Sequence, residues 1–550
     1  MGTAQYARVF LSAVVFVGGV ISEVSAAPPD VTSLFPAGGA LGETPEVTIT
    51  GTFNNWPVQI WCSNEKLKID CGSSKGKLVI HIPADAPCGI AWVRLIDEEG
   101  ASQPRPFLVA AQPSVLEKEP NDSTKQAQQI ALPAVVQGKF DKNGDADAYR
   151  VELAAGQTLV ASLQSNEILG SPADPALQIC NAAGQVLAMN QDASGLDPLL
   201  AFRAETAGTY LIRAFALPAT PNSSINFAGG ELFIYRLTLT TGPYADYALP
   251  LAVPSAGAAE VQLRGWNLPA EQAQTPPSDL RELQHWTPPT AAGLIPLRRV
   301  DVPLIIAECK DWNAGQGIAV PCCVSGCIAQ NREVHRFHWE GKKGTKLNIS
   351  AESASIGFDL DPALKLIGPD GKALSEVDDK AKNQDPELSV TLPADGKYTL
   401  ELRDIFHSGG PRHAYRLLIE TPTPRLSLSV TAGNFLIEAG KTVEIPVTVN
   451  RLNGFSDEVT ITAVDLPEGV SVIFATSQNK GDTAKQVKLV LNASAEAKAG
   501  RIRIVAQAAA KDDAAEANAK TETADATYPQ TLGGITFQHP EIWLAVKKAK

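Results

Sequence analysis

The sequence predicts an all-β chain of tandem β-sandwich domains, on three observations. Short runs of β-branched and aromatic residues recur along most of the length, each bounded by turn residues. The 550 residues include 43 Gly and 39 Pro, a composition that favours many short elements over long helices. A block of about 100 residues also recurs, with matched residues 188 positions apart. A chain of this length is expected to hold roughly three to five domains. Its net charge of −13 disfavours nucleic acid and anionic membrane as partners.

Residues 1–26 read as an export signal. Arg8 forms a short basic region, Val9 to Ile21 are mostly apolar, and Val24-Ser25-Ala26 set small residues at the cleavage positions. No later run approaches the roughly eighteen apolar residues of a membrane span, so the expected location is the periplasm or the extracellular space. Both are oxidising. In 27–112 the runs Val47 to Gly51, Val58 to Trp61, Leu78 to Ile82 and Ile90 to Leu95 predict an immunoglobulin-like sandwich. Its opening Leu34-Phe35-Pro36-Ala37-Gly38-Gly39 and the strand end Thr48-Ile49-Thr50-Gly51 resemble the IPT/TIG type of that fold. Cys62 and Cys71 flank a hairpin and are candidates to pair, with Cys88 left over or bonded instead.

The most informative stretch is Val115 to Arg150. Glu117, Glu119, Asn121 and Asp122 crowd around Pro120, and Asp145 and Asp147 precede an apolar run. Brought together by a fold, these carboxylates repel unless a hard cation sits between them. Ca²⁺ suits an all-oxygen set, whereas Zn²⁺ would call for His or Cys, which this stretch lacks. The E-x-E-P-N-D opening, the L-P-x-x-V-x-G step at Leu132 to Gly138, the G-D-x-D-x-Y element at Gly144 to Tyr149 and the A-G-Q-T-L turn at Ala155 to Leu159 together resemble the bacterial pre-peptidase C-terminal (PPC) domain. That resemblance covers 113–241 and implies a jelly-roll-like β-sandwich module of secreted proteins. It also implies Ca²⁺ ligands at Glu117, Glu119, Asn121, Asp122, Asp145 and Asp147. Two other readings stay open. Asp141, Asn143, Asp145, Asp147 and Glu152 fall at EF-hand ligand spacing, although Ala146 stands where the sharp turn needs Gly. The segment also reads as a polar turn with no metal.

The repeat, 301–423, serves as a control. Ile130 and Ile318, Pro133 and Pro321, Gly138 and Gly326, Gly156 and Gly344, and Tyr210 and Tyr398 are each 188 apart. Tyr235 and Tyr415 recur at an offset of 180 after a shorter loop. With the main offset, the acidic cluster maps onto Ile305, Ala307, Cys309, Lys310, Glu333 and His335, so the scaffold persists where the ligands do not. Copy two instead has Cys309, Cys322, Cys323 and Cys327. A disulfide among these would tie the segments that Ca²⁺ would tie in copy one, with Zn²⁺ or free thiols as alternatives.

Residues 242–300 are expected to form a small β segment with a Pro-rich linker, the part from Pro269 to Pro289 being irregular. In 424–550, alternating runs such as Val443 to Val449 and Val487 to Leu491 predict a second immunoglobulin-like sandwich. No catalytic residues are assigned: the seven histidines form no H-E-x-x-H, there is no G-x-S-x-G, and Ser63 to Lys66 is an isolated S-x-x-K. The expectation is an exported, non-catalytic binding or structural protein whose partner is a cell-envelope protein or an extracellular polymer. The alternative is an accessory or degenerate subunit of a secreted peptidase or polysaccharide hydrolase system.

Overall fold

The computed structural model describes residues 27–218, 226–270, 273–277, 283–379, 384–508, 523–533 and 535–548. The expected export signal, 1–26, lies outside them, as does most of the Ala- and Lys-rich stretch after Ala508. Among the described residues every regular element is a strand apart from the 3₁₀ turn Ala354–Ile356, and no helix is long and apolar enough to cross a membrane. The chain is all-β.

Alternation drives each sheet. In Lys77–His81 the apolar Leu78 and Ile80 are buried while their neighbours are half exposed, the pattern of a strand with one face on a core. The first unit packs a sheet of Asp30–Phe35, Glu46–Thr52, Lys77–His81 and Lys68–Cys71 against one of Gly38–Ala40, Arg105–Ala110, Gly89–Asp97 and Gln59–Cys62. Cys62 and Cys71 therefore belong to opposite sheets.

The two repeat copies share one topology. In copy one, Ser114–Leu116, Ala134–Lys139, Ile234–Thr240, Thr158–Gln164 and Leu199–Arg203 form one sheet in that order, and a second five-stranded sheet covers it. Copy two repeats both strand orders, starting from Leu304–Ile306. Side-chain devices recur too. Tyr210 Oη donates to Thr206 O at 2.8 Å, and Tyr398 Oη to Ala394 O at 2.7 Å. Asp197 accepts from the N–H groups of Ser165, Asn166 and Glu167 just as Asp385 does from Ser353, Ala354 and Ser355.

Between the copies lie two three-stranded sheets. The tract expected to be irregular contributes Ala273–Gln274 and Leu283–Trp286, the latter paired with Ile295–Val300. Cross-strand burial of Trp286 against this small core overrides the weak local pattern. The last unit strings its strands into one eleven-stranded set around a core of Leu, Ile and Val.

Buried arginines lock the units together. Arg94 of the first unit donates to Glu541 O at 2.8 Å and Gly433 O at 3.1 Å, so the end of the described chain folds back on its beginning. Arg412 of copy two pairs with Asp246 of the small unit and donates to Ala193 O of copy one at 2.7 Å and to Gly357 O at 2.6 Å. Both members of the Arg412–Asp246 pair are almost wholly buried, their side chains being 12% and 10% exposed. Removing one partner of such a pair strands the other charge, at a cost of about 3–5 kcal/mol. Arg412→Ala should therefore lower stability by that order in urea denaturation, and Asp246→Leu added to Arg412→Met should recover much of the loss. Equal losses in both variants would contradict the role.

Candidate metal centre

The acidic residues of copy one converge although they come from separate segments. Glu117 follows Ser114–Leu116, whose parallel pairing with Ala134–Lys139 is extended by Glu117 N donating to Gln137 O at 3.0 Å. Asp147 opens the strand Asp147–Leu153 of the facing sheet, and Asp145 lies two residues before it. Ligand oxygens of Glu117, Glu119 and Asp147 lie within 4.8 Å of one another, as do those of Glu119, Asp122 and Asp145. Asn121 joins them by donating from Nδ2 to Glu117 Oε1 at 3.0 Å. Asn121, Asp145 and Asp147 form a fully buried floor, and Glu119 and Asp122 an exposed rim.

Two tyrosines that sequence reasoning passed over complete the floor. Tyr235 Oη donates to Asp147 Oδ2 at 2.6 Å, Tyr149 Oη donates to Glu117 Oε1 at 2.8 Å, and the two hydroxyls touch. The repeat contained the signal: copy two keeps Tyr415 but has Phe337 in place of Tyr149. Gly138 leaves the space for the Tyr235 ring, which any Cβ there would overlap, and Gly326 does the same for Tyr415.

Donors nevertheless run short. Asn121 Oδ1, Asp145 Oδ1 and Asp147 Oδ1 are buried with no hydrogen-bond partner. A buried acceptor left unpaired costs about 1–3 kcal/mol, and more when charged. Burial first, then hydrogen bonding with Asp122, pushes the Asp145 carboxyl up to about 6. Asp147 is driven in the same direction by burial and by the Glu117 charge. Six oxygen-bearing side chains, three with an orphaned buried oxygen, form a donor set that fits a hard cation such as Ca²⁺. The EF-hand alternative fails on geometry, since a strand begins at Asp147 and carries Glu152 away to accept from Thr209 Oγ1 at 2.7 Å.

Copy two fills the equivalent space. The constant offset fails on its first strand: Ser114 faces Val135, but Leu304 faces Cys323, two residues later than expected. Ala307, which donates to Ser325 O at 2.8 Å, therefore stands where Glu117 does, and Cys309 does not overlie Asn121. His335 does replace Asp147: its Nδ1 lies 2.6 Å from Tyr415 Oη, its Nε2 lies 3.2 Å from Glu333 Oε1, and Trp312 stacks on the ring at 3.8 Å.

The expected disulfides are not formed, for all eight cysteines are free. Cys322 and Cys323 are successive on one strand and point to opposite faces, one into the sandwich core and the other against Ala252 and Val300. Cys327 and Cys309 donate to Gly410 O and Asp311 O, both at 3.2 Å, and Cys71 donates to Val58 O at 3.3 Å. Burial pushes the thiols of Cys322 and Cys323 up to about 12, so they stay protonated and inert. No candidate metal group among the described residues includes a cysteine.

Burial also holds the His335 ring below its ordinary value, against the opposing pull of Glu333. The folded state then resists a proton that the unfolded chain accepts near pH 6.5, so the stability this ring contributes is complete above that pH and is lost as pH falls through it. Urea denaturation followed by tryptophan fluorescence should show this loss between about pH 7 and pH 5. The loss is read as the difference between wild type and His335→Gln, since burial also lowers the His285 ring to about 4 and raises the carboxyls of Asp145 and Asp147, which act in the opposite sense. A difference that does not change with pH over that range would contradict the reading.

Residues 333–404 match the family model of the bacterial pre-peptidase C-terminal domain. A probable subtilase-type serine protease of Deinococcus radiodurans is 30% identical over 96 residues, which span 17% of this chain and 13% of that relative. Among solved structures, the pre-peptidase C-terminal domain of a Bacillus anthracis collagenase is 17% identical and covers 22% of this chain and 100% of its own, with a TM-score of 0.17. The four N-terminal Ig domains of Dscam1 isoform 6.44 are 9% identical and cover 95% of this chain and 99% of their own, with a TM-score of 0.21. The family match falls in copy two, where the acidic cluster is absent. The chain is thus an all-β protein in which residues 333–404, within copy two, match the bacterial pre-peptidase C-terminal domain.

Proposed function

We propose that this chain is an exported, non-catalytic binding or structural protein whose first repeat copy holds one structural Ca²⁺ between Glu117, Glu119, Asn121, Asp122, Asp145 and Asp147. The units divide as 27–112, 113–241, 242–300, 301–423 and 424–550, behind an export signal at 1–26. The partner is an envelope protein or an extracellular polymer. The carrying observation is the set of three buried side-chain oxygens without a hydrogen-bond partner, all at one end of copy one. Ca²⁺ would satisfy them, neutralise the surrounding carboxylates and clamp the two sheets. A second reading, an accessory subunit of a secreted peptidase system, is favoured by the likeness to the Deinococcus protease. Pulldown from culture medium and envelope fractions separates the two: recovery with a peptidase supports the second, and recovery with envelope proteins the first.

Calcium binding is tested by melting temperature during titration. Binding to the folded state alone adds about 2.7 kcal/mol at a hundredfold excess over Kd. The sign of the pH dependence follows from the raised carboxyls. Without metal, the folded state keeps protons that the unfolded chain loses above its ordinary value of 3.8, so stability falls as pH rises toward about 6 and beyond. Ca²⁺ should abolish that decline and bind more weakly below about pH 6, where protons compete. Asp147→Asn should weaken binding at least tenfold yet stabilise the chelated protein at pH 8. A melting temperature indifferent to both Ca²⁺ and chelator would overturn the assignment.

A further inference from the structure

A cavity of about 630 Å³ lies between the last unit and the small central unit. It falls within the roughly 300–1,000 Å³ common for binding pockets. Ile535, Thr536, Phe537 and Gln538 all line it. Successive side chains on a strand point to opposite faces, so a cavity touched by four in a row runs along the strand's edge. That edge is open: Ile535–His539 pairs with Tyr528 to Leu532 on one side and, among the described residues, with no strand on the other. Pro529 faces Gln538 and has no N–H to give, which makes theirs a non-bonded pair and turns the backbone N–H groups of Gln538 and Thr536 toward the cavity. The strand reads ITFQH, without the Lys or Pro that blunts an exposed edge.

The lining is polarised. Arg298 is held by Glu352 at 3.0 Å, and Arg503 lies between Asp525 at 2.8 Å and Asp465 at 3.7 Å. Glu541 acts on the buried guanidinium of Arg94. Arg501 is exposed, lines the cavity and makes no ion pair among the described residues. On the apolar side, Ile535 and Phe537 share one face of the strand, with the Phe537 ring 6.0 Å from His285 and 4.9 Å from Trp92. Ile535 and Phe537 are themselves packed inward, so what the cavity offers is backbone donors along an open edge with an exposed guanidinium at Arg501, elements by which a sheet captures an extended peptide.

We propose that this cavity binds an extended segment of a partner protein, added as a strand along Ile535–His539 with an acidic side chain on Arg501. The proposal rests on reading the chain as a binding protein but not on its calcium. The test is therefore run in chelator, on the full chain, by panning a random octapeptide display library and measuring the best peptide by fluorescence anisotropy. Enriched peptides should alternate β-branched residues and carry Asp or Glu. Thr536→Pro, which removes an edge donor, should weaken the best peptide at least tenfold. Arg501→Glu should do the same for that peptide but not for its Asn/Gln counterpart, with the melting temperature of each variant checked against wild type. No enrichment, or enriched peptides indifferent to both variants, overturns the proposal. So does binding of oligosaccharides on a glycan array that these variants abolish, which would make the cavity a sugar site. Failure of the calcium titration leaves this outcome untouched, and the reverse also holds.

Discussion

A phenol hydroxyl buried between two sheets needs a polar partner, and both repeat copies are arranged around one. Gly138 and Gly326 open a slot for Tyr235 and Tyr415, which delivers each Oη to the same depth of its sandwich. Whatever faces that hydroxyl must be polar, because an unpaired buried donor is costly. Copy one answers with the carboxylate of Asp147, and a buried carboxylate draws in further demands: a second acid at Glu117, an amide at Asn121 and a rim of Glu119 and Asp122. Copy two answers with the imidazole of His335, which carries its own donor and acceptor and is satisfied by Tyr415 and Glu333. The second arrangement is closed by Trp312, while the first keeps oxygens to spare.

The same economy appears at the sheet centres. Arg236 lies opposite Gln164 in copy one and donates to its amide oxygen at 2.7 Å, a neutral acceptor for a single buried guanidinium that burial lowers to about 10. At the matching positions of copy two, Glu352 lies opposite Arg416 and is also reached by Arg298 of the neighbouring unit at 3.0 Å. Two guanidinium groups converging on one site require a carboxylate where one is content with an amide. The difference marks where copy two docks against the small unit.

Much of the fold was legible from alternation. Val443 to Val449 and Val487 to Leu491 lie within strands four and three residues longer, and Leu78 to Ile82 matches a strand of the same length that starts one residue earlier. Leu283–Trp286 was not legible, because a four-residue strand in a Pro-rich tract is held by packing against Ile295–Val300 and not by its own periodicity. The acidic residues were visible as a cluster, yet Tyr149 and Tyr235 were not, since an apolar run hides the one hydroxyl that turns toward the site. The cysteines misled for a related reason: spacing along the chain says nothing of whether Cys322 and Cys323 face the same way.

Local sequence thus determined the all-β class, the repeat and the loss of the acidic residues from its second copy, because period-two patterning and residue identity are properties of short segments. Only the tertiary structure decided the two-residue slip of the first strand in copy two, the orphaned oxygens of copy one, the free thiols and the arginine clamps. Each depends on which atoms the folded chain brings together, within a sheet or between sheets, and that is set by packing and not by short segments.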